Sequence, residues 1–187
     1  MNFFGDSYAG KRIKYVDQGE PLGTAHALFA AAPLIKGDFI SMMGDDLYTK
    51  KNIEDIIEHP WAMTVFPHES FKDTGDVLVD ERGYMKDVVF DEQGKREGDK
   101  KMILLDVCLY KFKKEFLEAE LVSLQYKNEF GLPHTFFKYI KDKNIQVKVI
   151  QADEWCKINS PEDVEVAHTV IDTFQAACTS HAGLLTV

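Results

Sequence analysis

The stretch Gly37-Asp38-Phe39-Ile40-Ser41-Met42-Met43-Gly44-Asp45-Asp46-Leu47-Tyr48 constrains the fold more than any other part of the chain. Phe39 to Met43 is a short apolar run with one Ser, bounded by Gly-Asp before it and Gly-Asp-Asp after it. A run of that length between turn residues reads as a buried parallel strand. A buried strand that ends in acidic residues sets carboxylates at its carboxyl end, where open α/β sheets hold their ligands. Gly44 lets the backbone turn sharply and approach a ligand closely. Asp45 and Asp46 are hard oxygen donors suited to Mg²⁺. The plainer alternative is that Asp45 caps the next turn and Asp46 is solvated.

The flanks alternate strands with helices. Residues 12–16 alternate polar and apolar side chains and predict a strand. Residues 17–23 predict a loop, Thr24 an N-cap, and Ala25 to Ala32 a helix stopped by Pro33. A helix follows near residues 50–58 and an apolar strand at 61–66. Residues 76–80 and 84–90 form two short strands joined at Glu81-Arg82-Gly83, a hairpin signal. A polar loop spans 91–101, a long strand 102–112, and a helical stretch 113–119. Pro133 opens a helix reaching about 142, and residues 145–150 alternate as a strand. Ser160-Pro161-Glu162-Asp163 starts the last helix, with Ser as cap, Pro at the first position and two acids facing the positive dipole end. That helix runs to about Ala176, with a short tail from Cys178. The order predicts an α/β sheet with an inserted antiparallel part.

The chain has 187 residues, which fits one domain ending in a short tail at 177–187. A formal charge of −9 argues against nucleic-acid or anionic-membrane surfaces, which need basic patches. Cys108, Cys156 and Cys178 are odd in number and lack CxxC spacing, so they read as reduced thiols of a cytoplasmic protein. The six histidines form no HExxH pair, and no stretch is long enough to cross a membrane.

Three stretches carry the chemistry together. Gln18-Gly19-Glu20-Pro21-Leu22-Gly23-Thr24-Ala25-His26-Ala27-Leu28 links a strand to a helix. Gly23 removes a side chain where a flat base could lie, and Gln18 offers both a donor and an acceptor for a base edge. An ordinary loop before a capped helix is the alternative. Gly44-Asp45-Asp46 is the second stretch. The third, Trp155-Cys156-Lys157-Ile158-Asn159-Ser160-Pro161-Glu162-Asp163, places Asn159 before a helix start, where its side-chain oxygen could complete Mg²⁺ coordination or only shape the turn.

In this order, the three stretches resemble the sugar-1-phosphate nucleotidyltransferases, also called nucleoside-diphosphate-sugar pyrophosphorylases, over roughly residues 3 to 170. The resemblance implies a Rossmann-like, doubly wound mixed sheet with an inserted β-hairpin region, residues 1–66 forming a partial nucleotide-binding half and 67–176 the sugar-phosphate-binding half. It implies nucleobase contacts from Gln18, Gly23 and Thr24, Mg²⁺ on Asp45, and Asn159 as second metal ligand beside the sugar phosphate. Glu129-Phe130-Gly131-Leu132-Pro133 resembles a Glu-Tyr-x-Leu-Pro stretch of the sugar-facing half, which implicates Glu129. Asp106-Val107-Cys108 stands where the family usually has Asn-x-Gly facing the sugar, so Asp106 is expected to hydrogen-bond a hydroxyl. The implied reaction joins a nucleoside triphosphate and a sugar 1-phosphate, releasing pyrophosphate in nucleotide-sugar biosynthesis, with Asp45 as the catalytic metal ligand.

Two family features have no counterpart here: the opening Gly-x-Gly-Thr-Arg loop with its Pro-Lys, and a Lys after the hairpin, where this chain has Val89-Phe90-Asp91-Glu92. The resemblance therefore implies an N-terminally truncated fold with an open strand edge. The expected behaviour is self-association and little or no turnover. The alternative function is a non-catalytic or truncated subunit that only binds nucleotide or sugar phosphate.

Overall fold

The computed structural model describes residues 4–69, 75–90, 102–124 and 127–176. The expected loop at 91–101 and the tail from Cys178 lie outside the described residues.

The sheet is built around β8 (Met102–Phe112), which pairs antiparallel with β3 (Phe39–Ser41), β5 (Ala62–Glu69) and β6 (Gly75–Val79). β6 continues into a hairpin with β7 (Met85–Phe90), and β9 (Lys148–Gln151) runs parallel to β5. Strand alternation divides the side chains between two faces. On one face, Met63, Val65, Tyr110 and Phe112 pack with Ala25 of α1 (Thr24–Ala30) and Leu132, Phe136 and Ile140 of α3 (Leu132–Asp142). On the other, Ala62 and Leu109 meet Ile56 of α2 (Lys50–Ile57). A mixed sheet with helices on both faces is the α/β architecture expected.

Several local readings change. The Phe39–Met43 run forms a strand only over Phe39–Ser41, half-buried, and its described neighbour β8 is antiparallel. An apolar run reports that a strand is covered, not the direction of the strand beside it. Residues 13–16 form no strand; Lys11–Arg12 (β2) pairs with Ser7–Tyr8 (β1), and Tyr15 and Val16 are exposed. Alternation becomes a strand only where a sheet edge accepts it. β9 begins at Lys148, because Ile145 still donates to Ile140 at the exit of α3, and the Val147 carbonyl accepts from Met85. Gly44 is not forced by the turn, since a Cβ there would meet no atom within 4 Å.

Two features outside the sequence reading position the site. Asp46–Tyr48 (β4) pairs antiparallel with Trp155–Lys157 (β10) in a separate two-stranded ribbon. In β8, Tyr110 pairs with Met63 but Asp106 pairs with Val65, so two extra residues bulge out between them. Bulges of this kind re-aim side chains beside sites. Cys108 sits in the bulge at φ 56°, a left-handed conformation costly for a residue with a Cβ.

Candidate functional site

The ribbon brings the second and third stretches together. The Ile158 N–H donates to the Asp45 carbonyl at 2.9 Å, which places Asp45 beside the Asn159 turn across more than a hundred residues of sequence. Both side chains are exposed, and neither makes a side-chain hydrogen bond to a described residue. The Asn159 and Ser160 N–H groups both donate to the Asp163 carboxylate, at 2.9 and 3.0 Å, and the Asp163 N–H donates back to the Ser160 hydroxyl. This reciprocal cap fixes the start of α4 (Pro161–Ala176) and with it the turn that carries Asn159. Those backbone donors hold the Asp163 carboxyl below its usual range. Among the described residues, no group of three or more His, Cys, Asp and Glu side chains could hold a metal by itself. Asp45 and Asn159 supply two hard oxygens, which fits Mg²⁺ held in part by substrate phosphates and water.

Asp46 has a different place from Asp45. It is half-buried and accepts from the Trp155 indole N–H at 3.0 Å and lies 3.1 Å from the Tyr48 hydroxyl. Burial raises its carboxyl above the ordinary value, partly offset by the Trp155 donor. Asp46, Tyr48, Trp155 and Lys157 share one face of the ribbon, because residues opposite one another in an antiparallel pair point the same way. Tyr48 carries this face onto the β8 bulge through a 2.7 Å bond to the Val107 carbonyl.

In the bulge, the Asp106 carboxylate accepts from the Cys108 N–H at 3.0 Å and from the Tyr110 hydroxyl. Burial pushes the Asp106 carboxyl up to about 6, against the lowering effect of these donors. Burial and then the nearby Asp106 push the Cys108 thiol up as well, with Asp46 and Asp45 adding smaller repulsions. Asp106 therefore braces the bulge from within, a role that sequence reading did not assign to it.

The first stretch is joined to the Glu129–Pro133 stretch as one unit. Phe130 donates to the Leu22 carbonyl at 2.7 Å, and Ala25 donates to the Phe130 carbonyl at 3.0 Å. Gly23 has φ 98°, and a Cβ there would lie 2.6 Å from the Phe130 oxygen. Its missing side chain makes room for the protein's own backbone. Thr24 does not cap α1; its hydroxyl accepts from the Leu132 N–H at 3.0 Å, at the start of α3, and Gly23 occupies the cap position. The half-buried Gln18 donates through Nε2 to the Gly23 carbonyl at 3.1 Å and lies 3.1 Å from His26 Nδ1. Glu129 is half-buried beside Gly23, its Cβ 3.1 Å from the position a Gly23 Cβ would take. Sequence reasoning missed His26, Tyr48 and Trp155; the spacings Asp46-x-Tyr48 and Trp155-x-Lys157 were the available signal.

No family model matches the chain. In sequence it is similar to the bifunctional protein GlmU of Methanocaldococcus jannaschii, 25% identical over 155 residues, which is 82% of this chain and 36% of that protein. The chain thus spans little more than a third of the length of that curated relative. In structure it is similar to the inositol-1-phosphate CTP transferase of T. maritima, with a TM-score of 0.62 and 19% identity over 88% of this chain and 67% of that one. It is also similar to a CMP:2-keto-3-deoxy-manno-octonic acid synthetase complexed with CTP, with a TM-score of 0.55 and 13% identity over 79% of this chain and 67% of that one. The chain has the fold of the nucleotide-diphospho-sugar transferases.

Proposed function

We propose that this chain, which has that fold and resembles sugar-1-phosphate nucleotidyltransferases in sequence, binds a nucleoside triphosphate and a sugar 1-phosphate and transfers the nucleoside monophosphate between them. The observation that carries the reading is the β4–β10 ribbon. It ties the Asp45 carbonyl to Ile158, the residue before Asn159, which supports reading the two as one site. The similar proteins support the substrate classes, since one is an inositol-1-phosphate CTP transferase and one was solved with CTP.

In this reading, a phosphate oxygen of the sugar 1-phosphate attacks the α-phosphorus of the triphosphate, and pyrophosphate leaves. No covalent intermediate is needed, so catalysis is positioning and charge neutralisation. Asp45 and Asn159 would hold Mg²⁺, which would offset charge on phosphate oxygens. In this reading Gln18, Gly23 and Thr24 belong to the loop assigned to the base, and Glu129 and Asp106 are assigned to the sugar phosphate. Asp163 keeps the Asn159 turn in place by taking its backbone N–H groups.

The second reading is a subunit that binds both substrates but does not transfer. Pyrophosphate release with a panel of nucleoside triphosphates and sugar 1-phosphates separates the two. The transfer reading expects Mg²⁺-dependent release that disappears in Asp45→Ala. Tight binding of both substrates with no release supports the second reading; binding of neither contradicts both.

A further inference from the structure

The Gln18 amide is already committed. Its Nε2 lies 3.1 Å from the Gly23 carbonyl oxygen and 3.1 Å from His26 Nδ1. A carbonyl oxygen only accepts, so the atom facing it must be the amide nitrogen; the flipped amide would set two oxygens against each other. That nitrogen carries two hydrogens. One goes to Gly23 and the other to His26, which requires Nδ1 of His26 to be the bare acceptor and its proton to sit on Nε2. Gln18 then has no donor left, and its one unused group is the carbonyl oxygen Oε1.

We propose that His26 is a positioning residue that locks Gln18 with its oxygen outward, so that Gln18 contacts only an N–H donor on the ligand. This rests on the reading of the Gln18 loop as the base contact, and it narrows that reading. A base edge meets an acceptor here, not the donor-and-acceptor pair that a free Gln would offer. A nucleobase with an imino or amino hydrogen at that point is accepted, and one presenting a lone pair meets the Gln18 oxygen and is repelled. The His26 ring stands near the Phe130 ring, centroids 6.5 Å apart, so the lock also spans the joint between the Gln18 loop and the Glu129–Pro133 stretch.

Two measurements on the full chain test this. Nitrogen-15 NMR of the His26 imidazole at neutral pH reads the tautomer directly, with no ligand and no turnover. An unprotonated Nδ1 is the expected result; a proton on Nδ1 overturns the proposal. Calorimetry then compares His26→Phe, which keeps a ring against Phe130 but removes the acceptor, with His26→Asn, whose side-chain oxygen stands near the place of Nδ1. The probes are ATP, CTP, GTP and UTP, with glucose 1-phosphate as the control ligand. His26→Phe is expected to weaken the best-bound triphosphate roughly 2- to 12-fold, the factor for one misplaced hydrogen bond, to leave glucose 1-phosphate binding unchanged, and to flatten the preference among the four bases. His26→Asn is expected to restore it. Wild-type binding of triphosphates by His26→Phe, or equal loss for both ligand classes, overturns the proposal while leaving the nucleotidyl-transfer reading standing if Gln18→Ala still weakens them. If the wild type binds none of the four triphosphates, the reading and the base contact both fall, and the imidazole spectrum still decides how the amide is held.

Discussion

Thr24 and Asp106 show what single residues do here beyond their sequence context. The Thr24 hydroxyl accepts from Leu132, 108 residues away, and so covers a donor at the start of α3. Thr24→Val removes the acceptor and leaves that N–H without it. The expected cost is about 1–3 kcal/mol of stability, read by urea unfolding; an unchanged midpoint would mean the bond carries nothing. Asp106 makes a pH prediction. Its carboxyl rises from an ordinary 3.8 to about 6 in the folded chain. The folded state therefore holds this proton more tightly than the unfolded one. That contribution is complete below about pH 4 and is lost as pH rises through 6, a swing of roughly 3 kcal/mol at most. Asp106→Asn removes the swing, so the variant should lose less stability than the wild type between pH 4 and 6 in parallel thermal melts. Matching slopes would show that Asp106 does not titrate in that window. Neither role was legible in the sequence: Leu132 reaches Thr24 only through the tertiary fold, and Cys108 and Tyr110, though near Asp106 in the chain, meet it in the irregular bulge of β8.

Elements were legible where their signals were local. The start of α4 was read correctly from Ser160-Pro161-Glu162-Asp163, since cap, first-turn proline and acids all act within one turn. The hairpin at Glu81-Arg82-Gly83 was likewise local; Asp80 accepts from the Arg82 and Tyr84 N–H groups and holds the turn. The ribbon was not legible, because strands of three residues carry no periodicity. What holds it lies at the head of α2: Thr49 donates to Asp153 at 2.7 Å and Asn52 to the Glu154 carbonyl at 2.7 Å. Gly23 links two further elements. A Cβ would strike the Phe130 backbone at 2.6 and 2.8 Å, at a φ that L-residues avoid. Gly23→Ala is expected to destabilise by about 2–4 kcal/mol through strain and overpacking together, and to separate the Gln18 loop from the Glu129–Pro133 stretch. A variant with wild-type stability in denaturant would show that this joint is loose.

At the scale of the whole molecule, the two packed faces follow from strand alternation, and the α/β class was readable from the succession of strands and helices along the chain, whereas the sheet order was not. Among the described residues β3 pairs only with β8, and β7 and β9 also end the sheet order, so within that set these strands leave edges with open backbone donors and acceptors. Such edges recruit other strands. The 187-residue chain is therefore expected to self-associate at micromolar concentration in analytical ultracentrifugation, and a monodisperse monomer would count against this. The acidic balance of the chain, −9 overall, adds a second whole-molecule consequence: a polyanionic triphosphate is repelled unless a cation offsets the charge at the site. The most direct measurement is a calorimetric titration of the full chain with nucleoside triphosphates at increasing Mg²⁺, run beside Asp45→Ala. The account predicts affinity that rises with Mg²⁺ in the wild type and no longer responds to Mg²⁺ in Asp45→Ala. The same Mg²⁺ response in both proteins would contradict it.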